Sequence, residues 1–379
     1  MTMKILLVGA GGYATRYVRS LLASTDPDVQ WVGVVDPYIE ASAAKDEIYE
    51  ANIPVYNDME DFYKENTADL VLIATPPFLH GKQSLVAVSH GANVLCEKPI
   101  CPTIEEAEEM LSWEKQYGKF IAIGYQWSYA EELQALKKDI LSGVLGRPIC
   151  LKTMISWPRK TAYFGRGSGW GGRIEKNGIR ILDSVASNAC AHYLHNMLFM
   201  LGDKMETSAS PESVKAWLRR ANDIENFDTC AIEMELKNGA ELLFVASHAA
   251  RKKIEPIFSY TFENAEVRFE EGDKNAEIVA YFNDGRVKSY GRPKSQDFRK
   301  IWDCVEAARK GESPICTVET AMEHTRVINR LYENFKIEDF DRSLVHERND
   351  GENTFVYVDG LNEILSEIYE SGKIPERLL

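Results

Sequence analysis

Residues 4–14 read Lys4-Ile5-Leu6-Leu7-Val8-Gly9-Ala10-Gly11-Gly12-Tyr13-Ala14, a continuous apolar run that ends on a glycine turn and leads into helix-compatible sequence. A short strand that is apolar on both faces is the pattern of a buried parallel strand. Gly9, Gly11 and Ala14 fit G-x-G-x-x-G/A between strand and helix. Gly9 permits the tight turn, Gly11 lets backbone approach a pyrophosphate, and Ala14 leaves room for the helix to pack on the strand. The amides of this turn, with Ala10, Gly12 and Tyr13 among them, would present the positive end of the helix to a diphosphate. Glycine turns also end ordinary strands, so the next landmark matters. Val29 to Asp36, VQWVGVVD, reads as a second strand closing on an acid. It lies about 20 residues further on, where a carboxylate accepts hydrogen bonds from ribose hydroxyls. A carboxylate at Asp36 repels a 2′-phosphate, and the next basic residue, Lys45, is already inside the following helix. The expected cofactor is NAD rather than NADP. Tyr38 is a candidate for the adenine side.

Outward from this turn, strand and helix signals alternate at short spacing as far as Gly124, which predicts βαβ units and a parallel sheet. Further strands are expected at Leu70 to Ala74, Ala92 to Cys96 and Phe120 to Gly124. Asp58 caps a short helix, and Thr103 with Glu106 forms a capping box for a helix ending near Gly118. A second box, Ser128 with Glu131, is read as the start of another helix that ends at Gly143. After Pro148 the strands lengthen and alternate: Ser213 to Arg219, Cys230 to Leu236, Glu241 to Ser247, Phe258 to Glu263 and Glu277 to Phe282. Lys237-Asn238-Gly239 and Asn283-Asp284-Gly285 are hairpin turns, so this sheet is mainly antiparallel. Helices follow over Gln296 to Lys310, Glu319 to Asn334 and Leu361 to Glu370, the last in a charged tail. A chain of 379 residues is long for one core,. The expectation is α/β + α+β: a doubly wound Rossmann domain over 1–124, then an α+β domain over 125–379 on a mainly antiparallel open sheet.

The formal charge of −14 argues against a nucleic-acid or anionic-membrane surface, since phosphate binding needs clustered Lys and Arg,. No apolar run approaches the roughly 20 residues that span a bilayer. The N-terminal apolar stretch is too short for a signal peptide and leads into the glycine turn instead of a cleavage site. Seven scattered cysteines, with no CxxC pair and no zinc-like Cys/His spacing, read as reduced thiols in a cytoplasmic protein, and no metal site is expected,.

Thr75-Pro76-Pro77 with His80 follows the fourth strand and Glu97-Lys98-Pro99 follows the fifth. With the glycine fingerprint these resemble the Gfo/Idh/MocA oxidoreductases. The likeness continues through Gly124-Tyr125-Gln126, Trp170-Gly171-Gly172, Leu201-Gly202 and Gly311-Glu312-Ser313-Pro314. It implies that Thr75, Pro76, Pro77, His80, Glu97, Lys98 and Gln126 border the cofactor, that a cis peptide precedes Pro99, and that Lys98 is catalytic. It also implies an Asp-x-Gly-x-His-x-x-Asp helix ahead of Leu-Gly. Counted back from Gly202, those positions hold Asn188, Cys190, His192 and His195, so the histidine is present and both acids are replaced. His192 is the proton-handling candidate. Asn188 keeps the power to orient that histidine but not to stabilise its charge. Positions 188, 192 and 195 share a helical stripe.

Trp157, Arg159, Tyr163, Arg166 and Trp170 combine aromatics and cations suited to a pyranose face and to hydroxyls or a carboxylate. With Gln126, Asn188, Lys98 and His192 they form the candidate substrate set. The resemblance implies hydride transfer between NAD and a secondary hydroxyl or keto group of a sugar, sugar acid or cyclic polyol. It leaves open two alternatives: a tightly held NAD that is reduced and reoxidised within one cycle, or a non-catalytic NAD(H) sensor favoured by the two lost acids. It further implies a homodimer or homotetramer paired through the open sheet, on which Ile232, Met234, Leu242 and Phe244 alternate.

Overall fold

The computed structural model describes residues 2–166, 169–272, 275–293 and 298–378. The chain forms two compact units, Met1–Tyr129 with Ser295–Met322 and Ala130–Lys294 with Glu323–Leu379.

In the first unit β1 (Met3–Val8), α1 (Thr15–Leu22), β2 (Val29–Val35), α2 (Lys45–Glu50), β3 (Val55–Tyr56) and α3 (Met59–Tyr63) make up the first half. They are followed by β4 (Leu70–Ile73), α4 (His80–Ser89), β5 (Asn93–Cys96), α5 (Ile104–Tyr117) and β6 (Ile121–Ile123). The six strands run parallel in the order β3-β2-β1-β4-β5-β6. This is the doubly wound order, and its switch point lies between β1 and β4, where such sheets bind ligands at the strands' carboxyl ends. Both faces are covered, so Ile5, Leu6, Leu7, Leu70, Val71 and Leu72 are each fully buried. Asp58 accepts from the Asp61 amide to cap α3, Thr103 accepts from the Glu106 amide to cap α5, and left-handed Gly118 ends α5.

The second unit contributes α6 (Glu131–Leu141), β7 (Pro148–Ser156), a small hairpin of β8 (Glu175–Lys176) and β9 (Ile179–Arg180), and α7 (Ala191–Met200). Next come β10 (Pro211–Arg220), β11 (Thr229–Leu236), β12 (Glu241–Ser247), β13 (Ile254–Phe262), β14 (Ala265–Glu270), β15 (Ile278–Phe282) and β16 (Val287–Gly291). Then α8 (Arg299–Lys310) returns to the first unit, where it packs on β4 and β5. After α9 (Val318–Asn334) the chain ends in β17 (Ile337–Asp339), the hairpin β18 (Val345–Asp350) and β19 (Asn353–Val358), and α10 (Leu361–Ser371). The large sheet runs β16-β15-β14-β13-β7-β12-β11-β10-β17. It is antiparallel except where β7 meets β12 and β10 meets β17.

Three expectations change. The domain division is not a single cut near residue 124, because α8 belongs to the first unit; its buried Lys300 and Cys304 join that core. The expected start of that helix, Gln296, lies outside the described residues. Ser128 does not cap α6: it sits in a 3-10 turn, Gln126–Tyr129, and Ala130 takes the cap position. The turn is held by the Tyr129 hydroxyl, which donates to the carbonyls of Ile123 and Cys316 at 3.3 and 3.1 Å. Finally, β7 carries no clean alternation because it lies centrally, and its second half is buried on both faces.

The charged tail covers the sheet. Ile232, Met234, Leu242 and Phe244 lie on one face, buried, with α7 against β7. The other face offers Met154, Trp217, Ala231, Leu243 and Val245, and these pack with Val356, Val358, Leu361, Leu365, Ile368 and Ile374 of the C-terminal segment. The Met154–Trp217–Val245 surface of the sheet is therefore covered by the chain itself. Ile368 is fully buried there. Ile368→Ala is expected to lower the unfolding free energy of the second unit by about 2–5 kcal/mol, read as a fall in its urea midpoint; an unchanged midpoint would show that α10 docks only loosely.

Candidate functional site

Between β1 and α1 the backbone turns through Gly9, whose φ of +87° is left-handed. A Cβ there would also lie 2.7 Å from the Ala74 carbonyl oxygen. Gly11 is the opposite case, since a Cβ would meet nothing within 4 Å; the backbone there borders open space, as a diphosphate cradle requires. Ala14 is fully buried against the sheet, as the third fingerprint position should be, whereas Gly11, Gly12 and Tyr13 are exposed. The Ala10 amide is turned inward and donates to Asp36 Oδ2 at 2.8 Å, while the Tyr38 amide donates to Asp36 Oδ1 at 2.8 Å. Asp36 is thus aimed by two backbone donors, each using one of its oxygens, and each oxygen keeps a lone pair for a ribose hydroxyl. Tyr38 is largely exposed. The turn amides and Asp36 fit the adenosine diphosphate half of a dinucleotide.

The loops after β4 and β5 are bracketed by His80. Its Nδ1 lies 2.9 Å from the Pro99 carbonyl oxygen and its Nε2 2.9 Å from the Thr75 carbonyl oxygen. The ring is fully buried, and burial, against the pull of these carbonyls, keeps its pKa below the usual histidine value. His80 therefore ties two loops together and does not border the open turn. Thr75 donates to Gln83, and Pro76 is half-buried beside buried Pro77. The Lys98–Pro99 peptide is cis, as the resemblance implied.

Beneath Lys98 lies a buried ion pair. Glu97 and Lys300 are 8% and 2% exposed, and their side chains meet directly. The Tyr17 hydroxyl donates to Glu97 Oε1 at 2.6 Å, and the Lys98 amide donates to Glu97 Oε2 at 3.1 Å. Burial alone would raise the Glu97 pKa, but Lys300, Tyr17 and Lys98 outweigh it and hold it below the ordinary 4.5. Tyr13, Tyr17 and Phe298 wall the pair, with Lys300 Nζ 5.1 Å from the Tyr17 ring centre. Gln126 accepts from the Tyr13 hydroxyl at 3.1 Å, so it stands on the cofactor-turn side of this unit. Lys300 and Tyr17 were not singled out from sequence. Tyr17 lies on the helix that the fingerprint opens, but nothing local marks Lys300, which arrives on α8.

In the second unit the helix expected to carry positions 188, 192 and 195 is divided. Val185–Ala189 form a π-helical turn capped by Ser184, and α7 begins at Ala191. Such turns concentrate at functional sites. Of the ten residues of α7 only His192 is not buried. His195 is fully buried and stacked on Phe199, with its pKa driven well below the usual value by burial and by His324 and Lys137. The expected three-residue stripe thus reduces to Asn188 and His192. Cys190 is buried at the junction.

The lost acid at 188 has a counterpart five residues earlier. Asp183, 6% exposed, accepts at 2.7 Å from Arg166 Nη2, from the Gly172 amide and from Asn188 Nδ2. Arg166 in turn lies 4.0 Å from the Tyr163 ring centre and 4.3 Å from that of Trp170. Arg159 stacks over Tyr163 and Trp157, at 4.8 and 5.5 Å. Trp157 meets the Tyr193 ring edge-on at 5.7 Å and donates from Nε1 to Glu255 at 2.7 Å. His248, which the sequence reading missed, packs against Tyr163 and donates from Nδ1 to the Trp157 carbonyl oxygen at 2.9 Å. Burial first, then Arg159, lowers its pKa to about 3, so it is neutral. The structure thus joins Trp157, Arg159, Tyr163, Arg166, Trp170 and Asn188 into one network that reaches the helix bearing His192.

The parallel sheet, its glycine turn and the acid closing β2 define the first unit as a dinucleotide-binding Rossmann domain. Residues 3–125 match the Gfo/Idh/MocA family model, described as "Oxidoreductase family, NAD-binding Rossmann fold". The chain is 30% identical over 144 residues to D-glucoside 3-dehydrogenase of Escherichia coli, covering 38% of this chain and 40% of that protein. It is 29% identical over 150 residues to inositol 2-dehydrogenase of Salmonella typhimurium, covering 39% and 44%. The chain spans less than half the length of these two curated relatives. The fold is also similar to that of the WlbA dehydrogenase of Chromobactrium violaceum, solved with NADH and UDP-GlcNAcA. That likeness has a TM-score of 0.73 at 21% identity and covers 88% of this chain and 93% of the other.

Removing Lys300 would strand a buried carboxylate. Lys300→Met is expected to lower stability at neutral pH by about 3–5 kcal/mol. The sign with pH follows from Glu97: paired, its pKa is depressed, so its contribution is complete above 4.5 and lost as acid protonates it,. In the variant the Tyr17 and Lys98 donors remain but burial, the largest influence, raises that pKa, so the stability deficit shrinks as the pH falls. Urea titrations at about pH 7 and pH 5, both above the ordinary carboxyl value, check this; a deficit that stays constant would overturn the pairing.

Proposed function

We propose that this chain is an NAD-dependent dehydrogenase acting on a secondary hydroxyl of a sugar, sugar acid or cyclic polyol. The observation that carries the reading is the Glu97–Lys300–Tyr17 clamp, which fixes the backbone of Lys98 in the same unit as the dinucleotide turn. The names of the relatives, dehydrogenases of a glucoside and of inositol, point the same way.

Bound NAD supplies the hydride acceptor. The chain's own part is to hold the dinucleotide by the turn amides and Asp36, and to manage the hydroxyl proton. Lys98 stabilises developing alkoxide charge with its ammonium group, and His192 takes the proton. Asn188 stays oriented by its bond to Asp183, so replacement of the expected acid leaves an acid one side chain away and the histidine in place. That favours catalysis over a purely sensing role.

A panel of sugars, polyols and sugar acids, assayed for NADH absorbance with the purified protein, tests the reading; no turnover of any member together with no NADH binding would reject it. Lys98→Met is expected to lower kcat by about 10²–10⁴-fold while the Kd for NADH stays unchanged, and unchanged turnover would remove Lys98 from its role. Asp36→Ala is expected to weaken NADH and narrow the preference over NADPH, read from the two dissociation constants; a preference left intact would place the discrimination elsewhere.

A further inference from the structure

Among the described residues, the charged groups around Arg159 have side-chain partners. Arg166 is paired with Asp183. Glu255 accepts from Trp157 and pairs with Lys253. Glu271 accepts from the Tyr193 hydroxyl at 3.2 Å. Arg159 is the exception. Its guanidinium is held between the faces of Trp157 and Tyr163, and among the described residues no carboxylate comes within ion-pair distance of it. Its Nε is buried without a hydrogen-bond partner. Stacking, therefore, fixes the plane of the group while its fork of N–H donors is left without a protein acceptor. An arginine Nε buried without an acceptor is costly,, and a pre-oriented guanidinium is the best protein group for gripping two oxygens of a carboxylate or phosphate at once.

We infer that Arg159 receives an oxyanion of the substrate, so that the preferred substrates are sugars bearing a carboxylate or a phosphate. The Trp157 and Tyr163 rings that hold the guanidinium also limit where the sugar ring rests. Arg166, although closer to Tyr163, is already satisfied by Asp183 and serves to position Asn188. Because this inference rests on the dehydrogenase reading, its test separates the two.

The experiment compares D-glucose, D-glucuronate and D-glucose 6-phosphate, in turnover with NAD and in calorimetric binding to the NADH-loaded protein, for the wild type, Arg159→Gln and Arg159→Lys. The wild type is expected to favour one of the anionic sugars over glucose by at least about tenfold, and which one identifies the oxyanion. Arg159→Gln is expected to lower kcat/KM, or the binding constant, for that sugar by about 100-fold, the scale of a lost charge-assisted hydrogen bond. The loss for glucose should be smaller than for that sugar, the Kd for NADH should stay within about threefold, and Arg159→Lys should recover part of the loss by restoring the charge. Anion binding that depends on Arg159 without any turnover would keep the inference and reject the dehydrogenase reading. Turnover or binding that favours glucose, binding of neither anion, or an equal loss for neutral and anionic sugars in Arg159→Gln would overturn the inference.

Discussion

Glu97 carries a negative charge into the interior of the first unit, directly beside the lysine that the family resemblance makes catalytic. A carboxylate so placed is stable only if its partners are all present, because the desolvation cost of an unpaired buried charge is several kcal/mol. Lys300 supplies the opposite charge, Tyr17 a hydroxyl, and the Lys98 amide a third donor. The requirement reaches across the chain: it draws α8 back to the sheet, fills the space above α1 with Tyr13, Tyr17 and Phe298, and sets the backbone that precedes the cis Pro99. His80 completes the frame from the other side by bridging the loops after β4 and β5.

Asp183 plays the corresponding part in the second unit. One buried carboxylate organises an arginine, a backbone amide and an asparagine, and the π-helical turn that follows brings Asn188 to it before α7 begins. An ordinary α-helical path through 184–192 would rotate Asn188 by the width of the extra residue in that turn. The side chain at 188 thus meets a carboxylate at Asp183 that Arg166 also pairs.

The parts of this organisation that were legible in the sequence are those encoded locally. Gly9, Gly11 and Ala14 have their required surroundings because a turn and one close contact define them, and Asp36 closes β2 where the spacing placed it. The Thr103 cap and the Gly118 terminus of α5 follow from adjacent residues. What escaped depends on distant chain or on phase. Lys300 lies about 200 residues from its partner, a separation no local pattern encodes. The π turn breaks the 3.6-residue periodicity that placed Asn188 on one stripe with His192 and His195, and burial withdraws His195. Ser128 met the spacing of a capping box, but the Tyr129 hydroxyl held its segment in a 3-10 turn. At β7, burial of both faces erased the alternation by which its neighbours were recognised.

The C-terminal segment shows the same dependence on remote partners at the scale of a whole face. Its charged surface gives it the look of an appendage, yet Leu361, Leu365 and Ile368 recur at helical spacing and are fully buried against β7 and β12. The rest of that sheet face bears Lys152, Ser259, Glu266 and Arg268, partly or fully exposed, with Glu266 pairing Arg268. Association of two chains through an antiparallel sheet draws its driving force from apolar area removed from water. Here the Met154–Trp217–Val245 part of that area is used inside one chain, while Tyr281 and Val287 stay exposed further along the same face. Loss of α10 would expose the Met154–Trp217–Val245 surface to water, so the segment stabilises the second unit by covering it.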